Sequence, residues 1–336
     1  MYGTEKRTRP IGPRGNALAM AMVALLLVLQ SSTARGNERT SASVAPRLVS
    51  STRTKNKKDR TKLVNSKTVP GVVSNTWVRS KKARARLATL ITKGTLADRP
   101  RVAAEVLRQL DRSARAGATD AKLAEALVDR LRVNGAYGQR AIRSETSVEY
   151  RAEQLMRLLP STSGTFLDIG GADGAIAAAV GRRLGLGKSS TMSIEVAKYD
   201  SPSSSVSHLE YEKGRMPLAS SSVDSATILM ALHHMSDPRA VLEEARRVLS
   251  STGTLVVRET IAKKRSDKAF NASADILWYS VFDSTTTGVP QKTRFRSNSD
   301  LRTLFRASGF EVRGYEDPEP NNLFAPRHYS LRKAKN

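Results

Sequence analysis

The chain has no cysteine among its 336 residues. Disulfides, thiolate metal sites and cysteine nucleophiles are therefore excluded, while the redox compartment is left open. Aromatic residues make up only 5%. Acids are scarce at one end: residues 1–100 hold 21 Lys and Arg against 4 Asp and Glu, and residues 101–336 hold 35 against 27. Most of the net charge of +25 thus sits in the leader. The one strongly apolar stretch, residues 17–29, falls short of the ~20 residues that span a bilayer comfortably. Apolar content is 39%, enough to bury a sizeable core.

Basic residues at 6, 7, 9 and 14 ahead of that apolar stretch, with small residues at 31–34, form a signal-peptide pattern over 1–34, cleaved or retained as an anchor. Residues 35–81 are rich in Ser, Thr, Lys and Arg and bury little, so disorder is expected there. Their composition resembles a transit peptide, and the two parts together resemble the leaders of proteins imported into complex plastids. The other readings are a secreted protein with a basic linker and a nucleic-acid-binding tail. The tail would carry Trp77 as its only stacking aromatic.

From 82 to 145 the pattern is helical. Val102, Val106 and Leu110 recur every four residues, as do Leu123, Leu127 and Leu131. Pro100 and Thr119 open helices, and Gly117 and Gly135 close them. This extension is expected to cap the domain or mediate association. A further helix over 146–159 leads into residues 165–174, the stretch that organises the rest.

That stretch, Thr-Phe-Leu-Asp-Ile-Gly-Gly-Ala-Asp-Gly, reads as a buried parallel strand, an acid, a glycine turn and the start of a helix. A dinucleotide fingerprint needs glycine at i, i+2 and i+5, and Ala172 and Ala175 stand where it would continue from Gly170. A phosphate loop ends in Gly-Lys-Ser/Thr, and this turn does not. Asp173 would also repel a pyrophosphate. A cationic ligand without phosphate fits better, drawn by Coulomb attraction to the acid. Glu195, ending the next strand, could accept hydrogen bonds from both hydroxyls of a ribose.

Residues 168–174 resemble the first motif of class I S-adenosylmethionine-dependent methyltransferases, with Ala172 where that family has glycine. Residues 223–259, including His234 and Asp237-Pro238, resemble strands four and five of the ubiquinone/menaquinone-biosynthesis type, and residues 297–315 its last helix and sixth strand. The likeness spans about 146–333. It implies an α/β fold: a Rossmann-like, seven-stranded, mostly parallel sheet with an antiparallel last strand and helices on both faces, joined to the N-terminal helical extension. It implies S-adenosyl-L-methionine held by Asp168, Gly170, Gly171, Ala172, Gly174 and Glu195. Glu212 is expected near the adenine amino group, Met216 against the adenine ring and Met230 beside the cofactor. His233 or His234 is the candidate base. Trp278, Tyr279 and Phe282, on an insertion after strand five, are expected to clamp the acceptor, with Asp275 and Asp283 as polar candidates.

Neighbouring histidines are expected to point apart, so no metal is assigned. The expected partner is a small-molecule acceptor for O- or C-methylation. The alternatives are an RNA methyltransferase guided by the basic tail and a non-catalytic relative. No Asp/Asn-Pro-Pro-Tyr motif for base methylation is present.

Overall fold

The apolar runs predicted as buried strands pair into one sheet. The computed structural model describes residues 69–137, 145–195, 202–211, 214–282 and 293–335. Seven strands run β1 (Phe166–Ile169), β2 (Thr191–Glu195), β3 (Ser207–Glu210), β4 (Val223–Leu229), β5 (Leu249–Thr260), β6 (Phe310–Glu316) and β7 (Pro326–Lys333). Their order is β3-β2-β1-β4-β5-β7-β6. Only β7 is antiparallel, slotted between β5 and β6. The order reverses between β1 and β4, which pair in parallel, so a crevice opens beyond their carboxyl ends.

Before β1 stand α1 (Val72–Arg79), α2 (Lys81–Leu90), α3 (Pro100–Arg115), α4 (Asp120–Val133) and α5 (Glu145–Met156). The remaining helices are α6 (Ala175–Arg183), α7 (Pro238–Val248), α8 (Arg265–Leu277) and α9 (Asn298–Ala307). Capping explains where several begin. Pro100 occupies the first turn of α3, and Thr119 caps α4. The Asp237 carboxylate accepts the Ala240 N–H at 3.0 Å at the head of α7. Ser297 and Asp300 form a reciprocal box at α9.

Three cores result. One fills the sheet against α7 and α9 with Leu167, Ile228, Leu242, Leu255, Phe305 and Tyr329. A second packs α5 and α6 on the sheet with Ala152, Leu155, Phe166, Val180 and Val256. The third is wholly helical: Val73, Leu87, Val106, Leu110, Leu123 and Leu127 from α1–α4 bury against Phe270, Ala274, Leu277 and Val281 of the insertion after β5. The extension therefore caps the domain through α8. Arg86 fixes the junction: its guanidinium bonds Asp267 at 2.9 Å, stacks 3.8 Å from the Phe270 ring centroid and reaches the Leu323 carbonyl.

The expected unstructured segment ends earlier than residue 81. Helix α1 and the first residue of α2 lie inside it. Val73 and Trp77 are buried, and the Asp120 carboxylate caps α1 by accepting the Val72 and Val73 N–H groups at 2.9 Å each. Two apolar anchors and a cap from another helix outweigh a polar local composition. The candidate signal and most of the transit-like segment lie outside the described residues. Among the described residues, no helix is long and apolar enough to cross a membrane.

Candidate functional site

Strand β1 stops at Ile169 because the chain must turn sharply into α6. Gly170 and Gly174 take φ of 74° and 76°, a region only glycine enters without cost. Gly171 answers a different need. A Cβ there would lie 2.4 Å from the Ser193 Oγ and 2.8 Å from an Asp168 carboxylate oxygen. The bare backbone thus leans directly on the acid. Asp168 is 1% exposed, and its Oδ1 accepts the Thr227 hydroxyl at 2.6 Å. From the next strand, the Glu195 Oε1 accepts the Ala172 N–H at 3.1 Å. Two carboxylates from adjacent strands therefore flank one turn, as the sequence reading required. Ser193 Oγ is buried beside them and forms no hydrogen bond among the described residues.

This donor set fits S-adenosylmethionine. Two acids suit a cation and a ribose, and glycine backbone permits close approach. Glu212 and Asp283 lie outside the described residues. Met216 is buried in the sheet core and floors a hollow bounded by Glu210, Arg215 and Leu218. Met230 follows β4 with φ of 55°, its N–H donating to the Arg258 carbonyl at 2.8 Å.

Ala172 also sits at positive φ, 54°. An L-residue pays about 1–2 kcal/mol there. Glycine would relieve that but lose roughly 0.5–1 kcal/mol of chain entropy. Ala172→Gly is thus expected to stabilise the fold by about 0.5–1 kcal/mol, read as a raised denaturation midpoint. A lowered midpoint would show that the turn does not hold this conformation in solution.

The loop after β4 brings the histidines to the same edge. Their rings do not diverge as expected: the loop is a turn, not a strand or helix, and the centroids lie 4.2 Å apart. His233 is buried, and its Nδ1 lies 2.9 Å from the Glu259 Oε2 at the end of β5. Its ring stacks on Phe295 at 4.5 Å. Burial pulls the His233 imidazole down, but Glu259 outweighs it and the pKa is raised. Glu259 is lowered in turn, its burial outweighed by His233. Both shifts favour the imidazolium–carboxylate form of the pair, and the His233 Nδ1 is committed to Glu259.

His234 differs. Its side chain is 28% exposed, its Nε2 lies 3.7 Å from the Asp275 Oδ1 of α8, and Tyr279 meets it edge-on at 5.4 Å. Burial, reinforced by charged His233, lowers His234 to about 4. Burial raises Asp275 to about 6 against the pull of His233. At neutral pH the pair is a neutral imidazole beside a carboxylate.

Of the three expected clamp residues, Tyr279 reaches this cluster. Trp278 is half-buried on the same turn. Phe282 packs on the helical core instead. Residues 278–282 form a wide π-turn, in which i and i+3 no longer share a face. Glu259 was missed as a site residue, although it obeys the rule that found Glu195: an acid at the carboxyl end of a parallel strand.

Behind this edge, on the other face of β5, Arg258 and Arg151 both reach the Glu319 Oε1, at 3.2 and 2.6 Å. Burial pushes Glu319 up, but the two arginines hold it at about 2. His328 is fully buried next to them, and burial with their charge holds it neutral, near 3.

Residues 167–257 match the family model described as "Methyltransferase domain". The chain is similar to a demethylmenaquinone methyltransferase of Chlamydia pneumoniae, 26% identical over 139 residues, covering 37% of this chain and 58% of that protein. It thus spans somewhat over half the length of that relative. Among solved structures, an S-adenosylmethionine-dependent methyltransferase from Mesorhizobium loti is 15% identical with a TM-score of 0.42, covering 55% of this chain and all of that one. A counterpart from Aquifex aeolicus is 17% identical with a TM-score of 0.38, covering 56% and 92%.

Proposed function

We propose that this chain is a class I S-adenosylmethionine-dependent methyltransferase of the ubiquinone/menaquinone kind, a reading supported by the match over residues 167–257, and that it methylates a hydroxyl oxygen of a small acceptor with an aromatic or apolar body. The observation that carries the choice of oxygen is the pairing of Asp275 with neutral His234, on the loop whose Ala231 and Met235 lie against Gly170. An activated aromatic carbon needs little beyond positioning, whereas a hydroxyl must lose a proton during transfer.

S-adenosylmethionine, when bound, supplies a methyl group on a sulfonium that already leaves readily. Asp168 and Glu195 would hold it, with Gly171 giving close backbone approach. The acceptor hydroxyl's proton passes to His234, and Asp275 stabilises the imidazolium that forms. His233 does not take a proton. Locked to Glu259 and stacked on Phe295, it fixes the loop that carries His234. Tyr279 borders the acceptor side and, with α8, excludes water.

The test is titration calorimetry with S-adenosylmethionine, followed by incubation of the protein and labelled cofactor with a panel of phenols, catechols and hydroquinones. Binding and O-methylated products are expected. Absence of binding heat at millimolar cofactor would remove the cofactor assignment. Products methylated on carbon alone would remove the oxygen assignment.

A further inference from the structure

A second feature lies on the helical extension, away from the sheet edge. Helices α2 and α3 leave a groove between them of about 870 Å³, within the roughly 300–1,000 Å³ typical of small-ligand sites. Five cations border it: Lys81 and Arg84 from α2, and Arg108, Arg112 and Arg115 from α3. Its single acid, Asp111, is already committed. One carboxylate oxygen accepts the Trp77 indole N–H at 2.9 Å, and the other accepts Arg115 at 2.7 Å. Neither α1 nor α2 contains an acidic residue. Between the charged rims the groove is lined by Ala85, Ala88 and Leu107. Such a rim asks for anions, and such a floor asks for hydrocarbon.

We propose that this groove docks the chain on an anionic phospholipid surface, Lys81, Arg108 and Arg112 taking lipid phosphates and the apolar floor taking the glycerol and upper acyl region. Three observations favour a bilayer over other polyanions. Trp77 is 5% exposed and its N–H is spent, so no base-stacking platform is offered to RNA. Val72 and Val78 on neighbouring α1 stand 44% and 47% exposed, which suits an interface better than water. The same N-terminal part of the sequence carries the apolar stretch 17–29 and most of the chain's net positive charge.

The experiment uses the full chain in co-sedimentation with phosphatidylcholine vesicles, with and without phosphatidylglycerol. Two triple variants with the same change in net charge are compared. One is Lys81→Glu, Arg108→Glu, Arg112→Glu; the other, away from the groove, is Arg239→Glu, Arg306→Glu, Arg313→Glu. Wild type is expected to bind only the phosphatidylglycerol vesicles, and less as salt rises. The groove variant should lose at least about a hundredfold in partitioning, taking each lost basic residue as worth about fivefold near the surface and the added glutamates as further repulsion. The distant variant should lose far less.

Equal losses in both variants would show diffuse attraction through the leader and overturn the groove. So would unchanged vesicle binding alongside lost binding to poly(U) or to an acidic amphipathic peptide. Cofactor binding by calorimetry checks that each variant is folded. If the reversal variant does not fold, Lys81→Gln, Arg108→Gln, Arg112→Gln carries the same comparison.

Discussion

Asparagine at position 275 is expected to lower methyl transfer at neutral pH about a hundredfold, the low end for loss of acid–base assistance, with little change in cofactor affinity. The sign of the accompanying pH effect follows from burial, which raises Asp275 to about 6. Above that pH the carboxylate is ionised and can stabilise an imidazolium at His234; below it the carboxyl is neutral and cannot. The wild-type rate should therefore climb through about pH 6 and level off above it. His234, lowered to about 4, stays neutral across that window and adds no limb of its own. The Asp275→Asn variant should lack the rise near 6. A variant that kept both the rate and the rise would place the proton acceptor elsewhere. The measurement is initial rate against pH with an acceptor found in the panel, at saturating cofactor.

Glu195→Ala is expected to weaken S-adenosylmethionine binding about a hundredfold, from two lost hydrogen bonds to a charged acceptor at roughly 1.5–3 kcal/mol each, part of which water recovers. The residue has a second duty, since its Oε1 also accepts the Ala172 N–H and so steadies the turn. Glu195→Gln keeps the shape and an acceptor oxygen but loses the charge, and should fall between wild type and alanine. Calorimetry reads both variants directly. Wild-type affinity in the alanine variant would mean that the ribose is held by another group. Because Asp168 lies under the same glycine turn, the two sites are close enough for their effects to be non-additive.

The central strands were legible in the sequence because they are buried on both faces and carry few charges, as in Phe166–Ile169 and Val223–Leu229, whereas the edge strands β3 and β6 are partly exposed. Helix starts were legible where the signal is local, as at Pro100 and Thr119. Helix α1 was not, because its cap comes from Asp120, 48 residues away. The glycine turn and Glu195 were legible as a pair, since one strand's end and the next strand's end are neighbours by topology. The union of His234 with Asp275 and of His233 with Glu259 was not, because it depends on how α8 and β5 fold back over the loop after β4. The divergence expected of adjacent histidines assumed regular secondary structure, and the turn there removes it. Phe282 went astray for a related reason: its spacing was taken as that of an α-helix, and the wider turn rotates it toward the helical core.

Helix α8 serves two masters. One side completes the hydrophobic interior of α1–α4, and the other carries Asp275 to the histidines. A catalytic half cut free at residue 145 would bare Phe270, Leu277 and Val281 to water and release the helix that positions its own carboxylate. The extension is thus no detachable appendage. Whatever loosens α1–α4, whether heat, denaturant or a surface that grips them, is transmitted through a single rod to the chemistry, and an occupied acceptor pocket would in return make those helices harder to melt.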